Sequence, residues 1–270
     1  MILVTGGSGY IGSYIIKELS NQKISYNNLD LQIGLDIRNI DDIRQVFKTN
    51  KYDAVIHCAA LKDAPESLER PFEYYETNVI GTINLLKVMK EFNCNKIIFS
   101  STAAMYGNGV SKETDILKPE TPYASSKRTC EEIIKYSGID YVIFRYFNVA
   151  GHDKIDGTML IHRIKSKTKV IIFGDDYETR DGTCIRDYIH VEDLAKAHIL
   201  ALKHNENNIF NLGTNNGYTI KEICEEARCD YEIGNRREKD IIISIADNTK
   251  ASRLLKWKPK KELKDILKEE

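Results

Sequence analysis

The chain has 270 residues, with 39 Lys and Arg against 40 Asp and Glu and a hydrophobic content of 42%. That length accommodates one large α/β domain with an appended lobe, and the even charge balance excludes the basic excess of a nucleic-acid binder and the polybasic arm of an anionic-membrane binder. No apolar run approaches the ~20 residues of a membrane span, and neither the six cysteines nor the six histidines show a disulfide framework or a metal-ligand spacing. The cysteines therefore read as reduced thiols of a cytoplasmic protein. The opening "MILVTGG" is already strand and glycine turn, with no room expected for a signal peptide.

Residues 2–5 form a short apolar run. Gly6, Gly7, Gly9 and Gly12 follow, and a helix pattern covers 11–20. Strand, Gly7-x-Gly9-x-x-Gly12 and helix in that order are the dinucleotide fingerprint. The glycines permit a tight turn and let backbone N–H groups approach a pyrophosphate, to which the helix start adds partial positive charge. The plain alternative is a glycine-rich turn with no ligand. About 20 residues on, an acidic residue should end the second strand, and Asp30 in "ISYNNLDLQIGLDIRN" fits. Its carboxylate would accept hydrogen bonds from a ribose and repel a 2′-phosphate, which favours NAD over NADP. A solvated loop aspartate is the alternative.

Further strands are predicted at 54–58, 96–100, 141–145, 169–173 and 209–212, with helices near 40–49, 73–92, 123–137 and 191–203. This alternation predicts an α/β fold, a Rossmann-type doubly wound parallel sheet covered on both faces. After Asn148 the alternation breaks. Residues 149–182 and 216–270 read as a smaller C-terminal lobe over the carboxyl edge of the sheet, and "RDYIHVEDLAKAH" returns the chain to the first domain. The expected division is 1–148 plus 183–215 against 149–182 plus 216–270.

Within "TPYASSKRTCEEIIKY", Tyr123 and Lys127 lie four apart and so on one helix face. An ammonium close to a phenol favours the phenolate, which would make Tyr123 a general base. The same spacing also arises by chance on many helices. "KIIFSSTAAMYG" runs from a buried strand into Ser100, Ser101 and Thr102, where a hydroxyl could bond a substrate oxygen and pass its proton to Tyr123. Any two of the three could simply cap the strand end. Arg186 could pair with neighbouring Asp187, and Arg237 sits in the charged run "RREKD", a pattern common on solvated faces.

TGGSGYIG, HCAALK, FSSTAAMYG, YASSK, RYFNVAG, FGDDYETRDGTCIRDYIHVEDLA and RREKD occur in this order. Together they resemble the extended short-chain dehydrogenase/reductases, and among them the nucleotide-sugar 4-epimerases that interconvert UDP-glucose and UDP-galactose. The resemblance runs from the first residues to about Lys256. It implies that Gly6, Gly9, Tyr10, Ile11 and Gly12 hold the NAD pyrophosphate, Asp30 the ribose, and that Asp36 and Ile37 flank the adenine. Ala59, Ala60, Lys62, Asn78 and Tyr146 would line the cofactor, with His57 and Cys58 as packing beside it. Thr102, Tyr123 and Lys127 would be catalytic. Asn148, Ile172, Phe173, Arg186 and Arg237 would bind the nucleotide diphosphate, with Asp240 orienting Arg237. The second lobe would then bind the nucleotide sugar.

The implied reaction oxidises C4 of a UDP-sugar to a ketone and returns hydride to the other face. Related 4,6-dehydratases carry an acid pair after the Ser/Thr, where this chain has Ala103 and Ala104. Ser244 stands where a bulky residue would exclude a 2-acetamido group, so UDP-GlcNAc and UDP-GalNAc are expected substrates too. Other implied properties are a homodimer formed through two helix pairs, near 73–92 and 123–137, and no nucleic-acid or membrane partner. The chain departs from the family between Asp30 and Asp36, a stretch much shorter than usual, where a helix and a strand of the sheet are expected to be missing. It also departs at 151–160, where Thr158 and Met159 replace an Asn pair. The remaining alternatives are another NAD-dependent nucleotide-sugar epimerase, such as one for UDP-glucuronate, and a non-catalytic cofactor-binding protein.

Overall fold

The computed structural model describes residues 1–151, 160–237 and 240–268. In chain order the elements begin with β1 (Ile2–Thr5), α1 (Tyr10–Asn21), β2 (Tyr26–Leu29), α2 (Ile40–Thr49), β3 (Ala54–His57), α3 (Ala64–Glu69) and α4 (Pro71–Tyr74). A π-helical turn (Tyr75–Ile80) then leads into α5 (Gly81–Glu91), β4 (Lys96–Thr102), β5 (Gly109–Ser111), α6 (Pro122–Tyr136), β6 (Asp140–Tyr146) and β7 (Asn148–Ala150). The rest are α7 (Leu160–Lys165), β8 (Val170–Phe173), β9 (Ile185–Arg186), β10 (Tyr188–His190), α8 (Val191–Leu202), β11 (Asn208–Leu212), β12 (Tyr218–Thr219), α9 (Ile220–Glu226), β13 (Tyr231–Gly234), β14 (Ile243–Ala246), α10 (Thr249–Leu254) and α11 (Leu263–Lys268).

The chain divides into two compact units. The first comprises 1–105, 117–145 and 195–210, and the second 106–116, 146–194 and 211–270. Residues 106–116, 146–148, 183–194 and 211–215 thus lie in the second unit, although the expected division grouped them with the first.

The six-stranded sheet has the order β11-β6-β4-β3-β1-β2. β1 pairs in parallel with β2 on one side and β3 on the other, and β3 pairs in parallel with β4. The strand order therefore reverses at β1, and the crevice beyond the carboxyl ends of β1 and β3 is where such sheets bind ligands. β1 and β3 are buried at every residue, as strands covered on both faces must be. Leu3, Val55, Ile97, Phe99 and Ile143 form the core of this unit with Ile43, Phe47, Leu85 and Met89 from the covering helices. The stretch after β2 is compact: Asp30 caps a single 3-10 turn, Leu31–Ile33, before α2. β2 is the edge of the sheet.

In the second unit, β12, β9, β14 and β5 form a four-stranded sheet, while β13 pairs with β8 and β10 with β7. Its core joins Ile161, Val170, Ile172, Ile223, Leu263 and Ile266. Thr158 and Met159 lie outside the described residues. No helix among the described residues is long and apolar enough to cross a membrane.

Candidate active site

In the first unit, the chain turns sharply at the carboxyl end of β1. Gly6 has φ +71°, and a Cβ there would lie 2.6 Å from the Ala59 backbone nitrogen at the end of β3. A Cβ on Gly12 would lie 2.1 Å from the Gly6 carbonyl oxygen. Backbone meets backbone at both points, so only glycine fits. Gly9 is the N-cap of α1, and no side chain caps that end. The first-turn N–H groups, which include those of Tyr10 and Ile11, are thereby presented to an anion at the positive end of a three-turn helix.

Asp30 is buried at the end of β2, where Oδ2 accepts the Ser8 N–H at 2.8 Å and Oδ1 the Gln32 N–H at 2.9 Å. Each oxygen retains a further lone pair, so the carboxylate can still accept a ribose hydroxyl. The glycine turn, the uncapped helix start and the buried acid fit a dinucleotide. Sequence reasoning missed Asn28, whose Oδ1 accepts the Gly7 N–H at 3.0 Å while Nδ2 donates to Ser8 Oγ at 3.0 Å. Its position two residues before Asp30 on β2 was the available signal.

On the adenine side, the Asp36 carboxylate is held by the Arg38 guanidinium, with Nη2 at 2.6 Å from Oδ2, and that bond keeps its pKa low. The Ile37 side chain is packed in the core, so that residue has only its backbone to offer a base. Ala59 and Ala60 are half-buried just past β3, and Lys62 is exposed in the loop that follows. Asn78, expected to line the cofactor, instead braces that loop. Its Oδ1 accepts the Leu61 N–H at 2.9 Å, and its Nδ2 donates to the Leu61 carbonyl and to Ser126 Oγ, each at 3.0 Å. His57 is fully buried and bonded to Thr5 and Thr82, and burial pushes its pKa down to about 3. Burial pushes the Cys58 thiol up to about 11.

Thr121 caps α6, accepting the Ala124 N–H at 3.2 Å, with Pro122 in the first helical turn. Within that first turn Tyr123 follows Pro122, and the Thr102 side chain acts to favour its phenolate. One turn further, Lys127 is 4% exposed, and its Nζ donates to the Ser100 carbonyl at 2.8 Å and lies 4.8 Å over the Phe99 ring. The three hydroxyls at the end of β4 are now distinguished. Ser100 Oγ donates to Cys58 Sγ at 3.1 Å and Ser101 Oγ to Glu131 Oε1 at 2.6 Å, whereas Thr102 Oγ1 accepts the Ala104 N–H at 3.1 Å and acts on the Tyr123 phenol. Ala103 and Ala104 follow in a 3-10 turn.

The expected lowering of the Tyr123 pKa is not realised in this structure. Burial pushes the phenol up, and the Thr102 bond is the opposing cause. Lys127 spends its hydrogen bond on the Ser100 carbonyl, and burial pulls its own pKa down.

The second unit holds the other expected residues. Burial alternates along β8, which places Ile172 in the core and Phe173 half-exposed. The Ile172 side chain therefore cannot lie along a base. The Arg237 guanidinium carbon sits 3.8 Å from the Phe173 ring centroid, so one ring face is already covered by the cation. Asp240, expected to orient Arg237, instead accepts Arg186 Nη2 at 2.7 Å. Arg186 Nη1 also donates to the Ile185 carbonyl at 3.0 Å, which fixes the plane of its fork.

The Arg186–Asp187 pairing left open by the sequence does not form. Asp187 is fully buried and accepts the Thr214, Asn215 and Ala246 N–H groups at 2.8, 3.0 and 3.1 Å. The Asn148 Nδ2 donates to the Asp187 carbonyl at 3.0 Å, and Tyr146 is buried at the end of β6. In register, Ser244 pairs with Arg186 on one side and Gly109 on the other. A Cβ on Gly109 would meet nothing within 4 Å, so the space beside Ser244 on that flank is open.

A proton-transfer pair on a helix beside a dinucleotide turn is the arrangement of Rossmann-type enzymes that work with a nicotinamide cofactor, and the first unit is of that class. The chain belongs to the NAD dependent epimerase/dehydratase family, whose model matches residues 2–213. It is 40% identical to the UDP-glucose 4-epimerase of Lactobacillus helveticus over 97% of this chain and 92% of that protein. The solved UDP-glucose 4-epimerase of Bifidobacterium longum, in complex with NAD+ and UDP, superposes with a TM-score of 0.88 at 34% identity, covering 98% of this chain and 95% of that one. The UDP-Glc/GlcNAc 4-epimerase of Campylobacter jejuni gives a TM-score of 0.84, also at 34% identity, over 99% of this chain and 96% of that one.

Proposed function

We propose that this protein is an NAD-dependent 4-epimerase of UDP-hexoses, interconverting UDP-glucose and UDP-galactose. The observation that carries the reading is the Thr102–Tyr123–Lys127 group, with Tyr123 and Lys127 one turn apart on α6 and Lys127 anchored at 2.8 Å on the Ser100 carbonyl, two residues before Thr102 on β4. NAD, when bound, supplies the reversible hydride acceptor that takes C4 to a ketone and reduces it again from the other face, and its positive ring favours a phenolate. Tyr123 Oη takes the C4 hydroxyl proton and later returns one, with Thr102 Oγ1 bonding the same oxygen. Lys127 contributes the fixed positive charge that stabilises the phenolate. Gly6, Gly9, Tyr10, Ile11 and Gly12 hold the pyrophosphate, Asp30 the ribose, and Ala59, Ala60, Lys62 and Tyr146 the rest of the cofactor, with Asn78 bracing the 59–62 loop.

Asn148, Arg186 and Arg237 grip the nucleotide diphosphate. An arginine fork matches phosphate oxygens two at a time, and Asp240 and the Phe173 ring restrain the forks of Arg186 and Arg237 respectively. The first unit is the NAD-binding domain and the second the nucleotide-sugar lobe. At Ala103 and Ala104 there is no carboxyl group, so a dehydration would lack its acid and base. Incubation with NAD and UDP-galactose, read by NMR, should give UDP-glucose. Protein that holds NAD yet converts no UDP-hexose would end this reading.

The finer specificity follows from Ser244, a small residue flanked by Gly109. UDP-GlcNAc and UDP-GalNAc are accepted as well. Ser244→Tyr should cut kcat/KM for UDP-GalNAc by at least about 10- to 100-fold and leave UDP-galactose within a few-fold, since an overfilled pocket rejects only the larger sugar. Equal loss on both sugars would sink the assignment.

The protein is also proposed to be a cytoplasmic homodimer; its cysteines are free thiols. Phe72 is 87% exposed, with Leu68, Tyr75 and Ile80 also exposed along α3, α4 and the π-turn. Apolar side chains grouped in this way mark an interaction surface. Phe72→Glu should shift the protein to monomer in sedimentation equilibrium, and an unchanged mass would remove this surface from the interface.

A further inference from the structure

α6 presents three side chains to the first unit at successive turns: Tyr123, Lys127 and Glu131. Three consecutive β4 residues answer them. Thr102 acts on the Tyr123 phenol, the Ser100 carbonyl accepts Lys127 Nζ at 2.8 Å, and Ser101 Oγ donates to Glu131 Oε1 at 2.6 Å. Only the last contact lies outside the proposed chemistry. It is also the most firmly held. Glu131 is 1% exposed and Arg145, on β6, 2% exposed. Arg145 reaches Glu131 with Nε at 3.0 Å from Oε1 and Nη2 at 2.7 Å from Oε2. A planar two-point ion pair defines both distance and orientation. The pair therefore fixes where α6 sits along β4 and β6, and Ser101 transmits that position to the strand segment that carries Ser100 and Thr102.

We propose that Ser101, Glu131 and Arg145 are positioning residues that set the register of Tyr123 and Lys127 against Thr102 and the Ser100 carbonyl. The proposal rests on the reading of Tyr123 as the base. A misplacement of reacting groups by about 1 Å can cost on the order of 100-fold in rate, so a device that locks register serves catalysis and not folding alone. The charged and titratable groups around the pair are Lys127, Cys130 and Glu131 on α6, His57 and Cys58 at β3, Glu66 on α3 and Tyr74 on α4. Lys135 also lies 3.9 Å from Glu131 Oε2, and trimming Ser101 removes the hydrogen bond into Glu131 while leaving the other groups in place.

The test is Ser101→Ala, which removes one hydroxyl and leaves the ion pair intact, beside Ser101→Thr, which keeps a hydroxyl. In Ser101→Ala, kcat for UDP-galactose should fall about 10- to 100-fold with KM within about twofold, and Ser101→Thr should recover most of the loss. A second readout needs no turnover. In tyrosine 13Cζ NMR titrations of the NAD-loaded protein, with Tyr123→Phe for assignment, the Tyr123 midpoint should move upward in Ser101→Ala and return in Ser101→Thr. A folded Ser101→Ala protein with parent kcat and an unmoved Tyr123 midpoint overturns the proposal. So does a rate loss that only tracks thermal stability, with the midpoint unmoved. If the parent turns over no UDP-hexose but the midpoint still moves, the positioning role stands and the substrate assignment falls.

Discussion

Tyr123→Phe should lose about 1000-fold or more in kcat for UDP-galactose while still binding NAD and UDP. Phenylalanine keeps the ring, which stacks edge-on with Tyr74 at 6.4 Å between centroids, and removes only the oxygen that moves the proton. General acid–base catalysis contributes about 100- to 10,000-fold. The pH profile is part of the same expectation. Burial raises the phenol pKa and the base must be ionised to accept a proton, so parent kcat should rise with pH through the Tyr123 midpoint and then level off. The residual rate of Tyr123→Phe should lack that rise. Comparable kcat in parent and variant, or an unchanged profile, would move the base elsewhere. KM should stay within a few-fold, because the nucleotide grip proposed for Asn148, Arg186 and Arg237 is untouched.

The catalytic helix was readable because several local signals agree there. Thr121 and Pro122 start it, the apolar face repeats at Ala124, Cys130 and Ile134, and Tyr123 and Lys127 share that face. The glycine turn was equally plain, since its steric requirement is local. The helix predicted over 73–92 was real in outline but hid a π-helical turn at Tyr75–Ile80. Hydrophobic spacing cannot report one extra residue per turn. The contacts on the Asn78 carbonyl, from Thr82 Oγ1 at 2.5 Å and Cys130 Sγ at 3.1 Å, include one from a distant helix. Partner choice among charges was likewise invisible. Arg186, Arg236 and Arg237 face Asp176 and Asp240 in the sequence with nothing to sort them. Only the fold joins Arg186 to Asp240 and Arg236 to Asp176, leaving Arg237 on Phe173. Adjacent strand residues face opposite ways, so the burial of the Ile172 side chain beside a half-buried Phe173 was also legible. Glu131 carried a signal that went unused, an acid one turn beyond Lys127 on a face that buries.

Glu131→Ala should destabilise the protein by about 3–5 kcal/mol, because it strands the Arg145 guanidinium, 2% exposed, without its counter-charge. A loss of that size lowers the thermal midpoint by about 10 °C in a domain of this length. Calorimetry would measure it, and a shift of only a degree or two would mean that water or Lys135, 3.9 Å from Oε2, takes over the pairing. The informative companion is the double replacement of Glu131 and Arg145 by Met. Desolvating two charges costs nearly what their attraction returns, so an apolar pair of similar volume is often neutral or better. Stability should therefore recover in the double variant. Activity should not, since Ser101 would face a thioether in place of a carboxylate and the two-point lock on α6 would be gone. Recovery of both would reduce the ion pair to packing. Recovery of stability alone would separate what holds the first unit together from what holds Tyr123 and Lys127 in place. On that outcome the buried charge is retained for the geometry it enforces, since its net contribution to stability is small.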